Sequence, residues 1–149
     1  MNKILAIFSF LLTVNSHAFS KIEIESLCTD DKIVSVETNG IGLTLGELTV
    51  NILNHNQIDF IGSEYGINSI QGSPYGDEAI KIIGENEILA FGWCYQIDGK
   101  VSEKMPYEII VDDSLKNVRW YYGFAHYLNG EWISQCEENK TLVKNYYCK

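Results

Sequence analysis

Four cysteines carry the clearest chemistry in this 149-residue sequence. No two of them form a Cys-x-x-Cys pair and no Cys/His cluster exists, so their spacing argues against a zinc site or a thiol-redox site. An even number of cysteines in an exported chain is typical of disulfide bonds, and four cysteines allow three connectivities. We therefore predict two disulfides among Cys28, Cys94, Cys136 and Cys148.

The sequence leaves the pairing of these cysteines open. A bond from Cys136 to Cys148 would close a short C-terminal loop and contribute about 3 kcal/mol in the chain-entropy estimate. A bond from Cys28 to the tail is the main alternative. We expect residues 131–149 to form a tail that is anchored through Cys136 and Cys148.

Groups suited to catalysis are sparse. His55 and His126, the histidines outside the N-terminal segment, have no evident Asp or Ser partner in the sequence, and no serine has the context of a nucleophile elbow. The two Asp-Asp pairs lie in turns, where neighbouring side chains diverge, and they lack the oxygen-ligand spacing of a calcium loop. We therefore predict no catalytic residue, no metal ligand and no cofactor, and a protein that is not an enzyme.

Tyrosine and amide side chains are the candidates for contact with a small ligand. Three of them lie on a glycine-flanked segment, where a ligand could approach the backbone closely. The others lie in an exposed loop or on strands, where a tyrosine hydroxyl needs a polar partner or water. Trp93 and Trp120 lie on the same strands and are expected to pack in the core. The alternative for the tyrosines is that they only rim the sheet. The predicted contacts are Tyr65, Asn68, Gln71, Tyr75, Tyr95 and Tyr122.

The N-terminal residues predict export. Lys3 precedes an apolar run at residues 4–14 that is too short to span a bilayer, and residues 16–18 offer small side chains for cleavage after Ala18. We predict a signal peptide at residues 1–18, a periplasmic or secreted protein, and no membrane insertion after cleavage. The formal net charge of −9 repels nucleic acid and anionic lipid, so neither is expected as a partner.

A hairpin and a helix are predicted ahead of the candidate ligand contacts. Residues 19–27 and 33–38 alternate with a period of two, which is typical of strands, and residues 29–31 are predicted to form a turn between them. Asn39-Gly40 is assigned to close the hairpin with residues that tolerate positive φ. Thr44 and Glu47 have the spacing of a capping box, and an apolar stripe at helical spacing follows until residues 54–56.

Short strands are predicted over most of the remaining chain. They cover residues 58–61, 79–83, 87–97, 107–111 and 117–127, with an irregular strand within residues 64–72. Within residues 87–97, Phe91, Trp93 and Tyr95 share one face and Cys94 lies on the other. The order predicts an α+β fold, a β-grasp-like mixed sheet with one main helix packed across it, plus a disulfide-anchored C-terminal tail.

Three segments, taken in order, resemble the transcobalamin-like C-terminal domain family: residues 65–72 (YGINSIQG), 93–99 (WCYQIDG) and 118–122 (VRWYY). Ile97 and Asp98 replace the Val and Asn of that family's hairpin. The resemblance implies a β-grasp-like domain at residues 19–127, with residues 128–149 as a C-terminal extension. It also implies a module that binds a small soluble ligand, of cobalamin type or another. The main alternative is a secreted protein-interaction module without a small-molecule ligand, which could use a sheet edge or its acidic surface. A third reading is a small exported hydrolase with an unrecognised site, which a hydrogen bond from His126 to a carboxylate inside a cleft would favour.

Two disulfides predict that the native protein has no reactive thiol. Titration of the unreduced protein with a thiol reagent should detect none, either folded or in denaturant, whereas reduction in denaturant should release all four cysteines. A reactive thiol in the native protein would contradict the pairing.

Overall fold

The computed structural model describes residues 20–148, and the predicted signal peptide at residues 1–18 lies outside them. Within that range the chain forms nine strands and two α-helices, together with short 3-10 helices at Gly76–Ala79 and Pro106–Glu108. In chain order the elements are β1 (Ser20–Glu25), β2 (Lys32–Thr38), α1 (Leu45–His55), β3 (Phe60–Ser63), β4 (Gly66–Ile70), β5 (Ile80–Gly84), β6 (Glu87–Ile97), β7 (Lys100–Val101), β8 (Asn117–Leu128), β9 (Glu131–Glu137) and α2 (Lys140–Tyr147).

One mixed sheet contains most of the strands, in the order β2-β1-β8-β6-β5. β1 and β8 run parallel, whereas the other pairs in the sheet are antiparallel. β7 pairs with the end of β6, β9 pairs with β8, and β3 and β4 form a separate hairpin. The hairpin of β1 and β2, the helix α1 and the return of β8 beside β1 confirm the predicted α+β fold with one main helix.

The predicted capping box starts α1. The Thr44 hydroxyl accepts a hydrogen bond from the backbone N–H of Glu47 at 3.1 Å, and the Glu47 carboxylate accepts one from the Thr44 N–H at 2.8 Å. These contacts satisfy two N–H groups that a helix start leaves without partners. The apolar stripe that follows is buried against the sheet, with Leu45 and Leu53 fully enclosed.

Two local predictions were wrong. Asn39-Gly40 does not close the hairpin: the turn lies between β1 and β2, where the Ser26 N–H donates to the Asp31 carbonyl, and the left-handed residue before α1 is Gly42, with φ of 90°. Residues 107–111 do not form a strand. Pro106 fixes a helical φ and has no N–H to lose, so the 3-10 helix at Pro106–Glu108 forms there instead.

Both helices cover the same face of the sheet, which we call the inner face. β6 alternates as predicted, with Phe91, Trp93 and Tyr95 directed to this face and Cys94 directed to the opposite, outer face. α1 packs over one half, on a core that includes Ile22, Ile24, Val118 and Trp120. α2 packs over the other half, where its Val143 joins Phe91, Tyr122 and Phe124.

Two disulfides anchor the segment predicted as a tail, which contains β9 and α2. Cys28 in the β1–β2 turn bonds Cys148 after α2, and Cys94 of β6 bonds Cys136 of β9. The structure thus contains the alternative bond from Cys28 to the tail and not the short Cys136–Cys148 loop. The two bonds span 120 and 42 residues. Taken alone, the Cys28–Cys148 bond should stabilise the folded state by about 5 kcal/mol and the Cys94–Cys136 bond by about 4 kcal/mol in the chain-entropy estimate.

Disulfides of this kind are typical of proteins that fold in an oxidising environment outside the cytosol. None of the helices formed by residues 20–148 is long and apolar enough to cross a membrane.

The chain after β9 passes from the outer face to the inner face. β1 pairs with residues 117–120 of β8 and β9 pairs with residues 124–128, so the edge of β8 between them is open. Arg119 holds the crossing segment in place through hydrogen bonds to Glu25 of β1 and to Glu138, at 3.0 and 2.9 Å. The same guanidinium keeps the pKa of Glu138 below its ordinary value.

Gly123 leaves space for this crossing. A Cβ at Gly123 would lie 2.7 Å from the carbonyl oxygen of Glu137, whereas a Cβ on its register partner Gly92 would meet nothing within 4 Å. Neither residue has positive φ, so the two positions differ in available space and not in backbone strain.

We predict that Gly123→Ala lowers the free energy of unfolding by about 1–3 kcal/mol, because the new methyl group overpacks the crossing. Gly92→Ala is the matched control and should stay within about 1 kcal/mol of wild type. Urea denaturation of the oxidised proteins measures both. Equal losses in the two variants would show that the crossing imposes no special constraint.

Candidate functional site

Trp93 of β6 lies where three cavities meet. One cavity of about 250 Å³ lies beside Ala90, Gly92 and Trp132, and another of about 310 Å³ lies between the β1–β2 turn, the end of β4 and Tyr147. The third has a volume of about 320 Å³ and lies between β4, β6 and the loop at residues 102–106. We call this third cavity the β4–β6 pocket.

Incomplete strand pairing creates the β4–β6 pocket. β5 pairs with β6 only up to Ala90, and the two-residue β7 pairs only with Gln96 and Ile97. The edge of β6 between these strands therefore has no neighbour in the sheet. β4 and the loop after β7 lie next to this gap without filling it.

The position of Trp93 is set by a short network of serines. Its Nε1–H donates to the Ser73 hydroxyl oxygen at 2.7 Å, and that oxygen also accepts a hydrogen bond from the backbone N–H of Ile70 at 3.0 Å. The hydroxyl of Ser69 donates to the Ser73 carbonyl at 2.7 Å. Ser69 and Ser73 are buried, and these hydrogen bonds satisfy their polar groups. The bond to Ser73 therefore fixes the orientation of the Trp93 ring.

Tyr95 determines the shape of the opposite wall. Its ring packs on Trp120 with centroids 4.9 Å apart, and its hydroxyl donates to the carbonyl oxygen of Lys104. Burial raises the pKa of the Tyr95 hydroxyl, with a further increase from the negative charge of Glu108, although a hydrogen bond with Ser102 opposes them. Tyr95 therefore stays protonated and ties the 102–106 loop to β6.

Trp120 also lines the pocket, and its indole nitrogen is a buried polar atom that has no partner. The residue is 2% exposed, and within residues 20–148 its Nε1 forms no hydrogen bond. A buried donor left unpaired costs about 1–3 kcal/mol, so native proteins rarely leave one without a protein, water or ligand acceptor. Trp120 was predicted to pack in the core, and it does. The free donor could not be inferred from its position in the sequence.

The remaining lining combines apolar surface with a polar rim. Ile67, Met105, Pro106 and the Cys94–Cys136 disulfide supply the apolar part. The rim consists of Asn68, Ser102, Glu103, Lys104 and Gln135. Gln135 was not among the predicted contacts, because it reaches the pocket only through the disulfide that draws β9 towards β6.

Of the six predicted contacts, Asn68 and Tyr95 lie together at the β4–β6 pocket. Tyr65 is exposed and packs edge-on against Tyr107 with centroids 5.2 Å apart, and Tyr75 is exposed in the loop that follows β4. The structure does not bring these two tyrosines to the pocket.

The other two predicted contacts belong to the neighbourhood of α2. Gln71 follows β4 with a φ of 52° and lines the cavity beside Tyr147. Tyr122 is buried between Phe91 and Trp93, and its hydroxyl donates to the Pro74 carbonyl at 2.6 Å. Burial raises the pKa of Tyr122, and it raises that of Tyr147 to about 12.

His126 lies away from the β4–β6 pocket and contacts a carboxylate that the sequence does not reveal as its partner. Its Nε2 lies 2.8 Å from a carboxylate oxygen of Glu87. Its register partner Ser134 has a buried hydroxyl without a hydrogen-bond partner in residues 20–148, so no hydrogen bond joins Ser134 to His126. Over the same residues, no group of three or more His, Cys, Asp or Glu side chains is arranged to hold a metal ion.

Comparisons with known proteins yield no assignment. No protein-family model matches the chain, and neither does any curated protein or any solved structure. Function is therefore inferred from the residues and geometry of this chain.

We predict that Tyr95→Phe lowers the free energy of unfolding by about 0.5–1.5 kcal/mol, because the Lys104 carbonyl loses its hydrogen-bond donor. It should also accelerate amide hydrogen exchange in the 102–106 loop. Tyr65→Phe removes an exposed hydroxyl and is the matched control, with little effect expected on either measurement. Unchanged exchange in Tyr95→Phe would mean that the hydroxyl does not hold the loop.

Proposed function

We propose that this protein is an exported module that binds a small ligand in the β4–β6 pocket. One observation carries the proposal: a concavity of about 320 Å³ has walls formed by Trp93, Tyr95 and Trp120. Ligand pockets usually combine apolar and aromatic walls with a few polar groups, and this volume lies near the lower end of their range.

Rigid walls favour binding at this site. Trp93 is held by Ser73, Tyr95 is held by the Lys104 carbonyl, and the rim near β9 is held by the Cys94–Cys136 bond. A ligand that enters walls already fixed in place does not have to order them, so less of its interaction energy is lost on binding. The exposed residues Asn68 and Gln135 leave the mouth open to solvent.

We further propose that the module is of the transcobalamin-like C-terminal type suggested by residues 65–72, 93–99 and 118–122. In support, β1, β2, α1 and β8 follow the order of a hairpin, a crossing helix and a parallel returning strand. A cobalamin-type ligand would leave most of its surface outside a pocket of this volume, so a smaller molecule fits better. Export through a signal peptide at residues 1–18, to the periplasm or the exterior, is part of the same proposal and agrees with the two disulfides.

The second candidate function is a protein-interaction module. β5 lies at an edge of the sheet, and its Ile82 is 77% exposed. Ile80 of the same strand and Trp132 of β9 are also exposed apolar side chains. Proteins usually protect such edges, because an exposed strand can pair with another chain.

A thermal-shift screen of the oxidised protein against corrinoids and other small cofactors tests the first function. A ligand present at about 100 times its Kd should add about 2.7 kcal/mol to the free energy of unfolding. Asn68→Ala and Gln135→Ala, both at the pocket rim, should weaken binding of the hit. Tyr75→Ala changes an exposed residue away from the pocket and should bind it as wild type does. If no small molecule shifts the transition and a protein partner co-purifies, the interaction module replaces the ligand-binding function.

A further inference from the structure

We propose that the free edge of β5 binds an extended segment of another protein, with apolar side chains at alternate positions and basic residues at both ends. The segment would pair with β5 as an added strand and so extend the sheet. This inference rests on the second proposed function, the interaction module, and specifies its partner. It does not depend on the β4–β6 pocket, to which β5 contributes no residue.

One edge of β5 is open. β5 is the last strand of the sheet, and in the part of the chain that the structure describes it pairs only with β6. The N–H of Ile80 turns back to the Asp77 carbonyl, but no described backbone hydrogen bond joins residues 81–84 to a segment other than β6. An irregularity between Ile82 and Gly84 ends the regular register, so the paired segment is short. Backbone groups on the free side of β5 are therefore available to another chain.

This edge has apolar side chains where edge strands usually have protecting charges. Ile80 and Ile82 are 43% and 77% exposed, and their register on β6 places them on the outer face, which neither helix covers. Lys81 lies on the inner face, where its ammonium is 4.7 Å from the centroid of the Tyr147 ring. Since Lys81 packs against α2, it does not guard the edge. Apolar side chains of a partner would lie beside the two isoleucines.

β2 lies at the opposite edge of the sheet and has the reverse pattern. Its exposed positions are Lys32, Ser35 and Glu37, whereas its apolar side chains pack against the core. Charged and polar side chains on an edge strand disfavour pairing with another chain. Of these two edges, β5 is therefore the one suited to a partner.

The charges around β5 define the ends of the partner segment. Asp77 and Glu78 precede the strand and Glu85 follows it. All three are exposed, and none forms an ion pair within residues 20–148. A segment paired with β5 in either direction has an acidic group near each of its ends, which favours Lys or Arg there. The net charge of −9 also attracts a basic segment.

A second copy of this chain fits the edge less well. Two β5 strands paired antiparallel would bring Asp77 and Glu78 of each copy near Glu85 of the other. Like charges opposite one another destabilise a strand pair. Two chains of net charge −9 also repel each other. The partner is thus a different chain with a basic segment.

Three synthetic peptides test the inference. They are acetyl-KRVTVTVRK-amide, its anionic match acetyl-EEVTVTVEE-amide, and acetyl-KRVPVPVRK-amide, in which prolines prevent strand pairing without changing the charge. Each is titrated into uniformly ¹⁵N-labelled oxidised protein, and amide resonances and hydrogen exchange are followed.

The cationic valine–threonine peptide should bind in a saturable manner and slow amide exchange in β5. It should bind about tenfold more tightly than the anionic peptide, because its ends meet opposite charges. This difference should shrink at about 0.5 M salt, which screens exposed charges. The proline peptide should leave exchange in β5 unchanged.

Charge-reversal variants locate the binding site. Glu78→Lys combined with Glu85→Lys should reverse the preference, so that the anionic peptide binds more tightly. Glu37→Lys combined with Asp113→Lys is the matched control, because it changes the net charge equally at exposed positions away from β5. This control should keep the preference for the cationic peptide. All four positions are exposed, and the amide spectra of the free variants verify that they fold.

Several results would overturn the inference. Equal protection of β5 by the cationic and anionic peptides would leave the interaction module with a partner of other chemistry. Loss of the preference in the matched control would place the basic segment elsewhere. Self-association that protects β5 without peptide, detected by analytical ultracentrifugation, would make a second copy the occupant. If no peptide protects β5, the inference fails together with the interaction module at this edge, whereas ligand binding is decided by its own screen.

Discussion

Continuous pairing between β6 and β8 is the constraint on which the rest of the structure depends. All 11 residues of β6 have register partners on β8, from Glu87 opposite Leu128 to Ile97 opposite Val118. Because side chains alternate along a strand, this single register assigns the aromatic rows to the inner face and Gly92, Cys94 and Gly123 to the outer face. A slip of one residue would exchange the two sets and remove the core under both helices.

The other edges of the two strands are only partly paired. These two gaps account for the crossing of the chain after β9 and for the β4–β6 pocket. On β8, the gap between β1 and β9 lets the chain pass from the outer face to the inner face, where α2 completes the second core. On β6, the gap between β5 and β7 becomes the β4–β6 pocket. The Cys94–Cys136 bond links these regions, since it holds the end of β9 across the outer face and forms part of the pocket lining.

Within the pocket, neighbouring aromatic residues have different roles because their polar atoms have different partners. The Trp93 nitrogen and the Tyr95 hydroxyl are each bound to a protein oxygen, so both residues act as fixed walls. Trp120 is more deeply buried than either of them, and its nitrogen is unpaired.

The sequence by itself determined the features that depend on local chemistry: the capping box of Thr44 and Glu47, the alternating faces of residues 87–97, the α+β class and an even set of cysteines. These follow from spacings of a few residues, over which side chains meet regardless of the wider fold. The tertiary structure alone decided the disulfide partners, the helix α2 on the inner face of the sheet, the meeting of Asn68 with Tyr95, and the unpaired nitrogen of Trp120. Each depends on contacts between segments far apart in the chain, such as Cys28 with Cys148, and such contacts leave no periodic signal in the sequence. The wrong prediction at residues 107–111 has the same origin, because Pro106–Glu108 turns as a 3-10 helix and the rest of the run pairs only through a single bridge, from Ile110 to Thr44 at the start of α1.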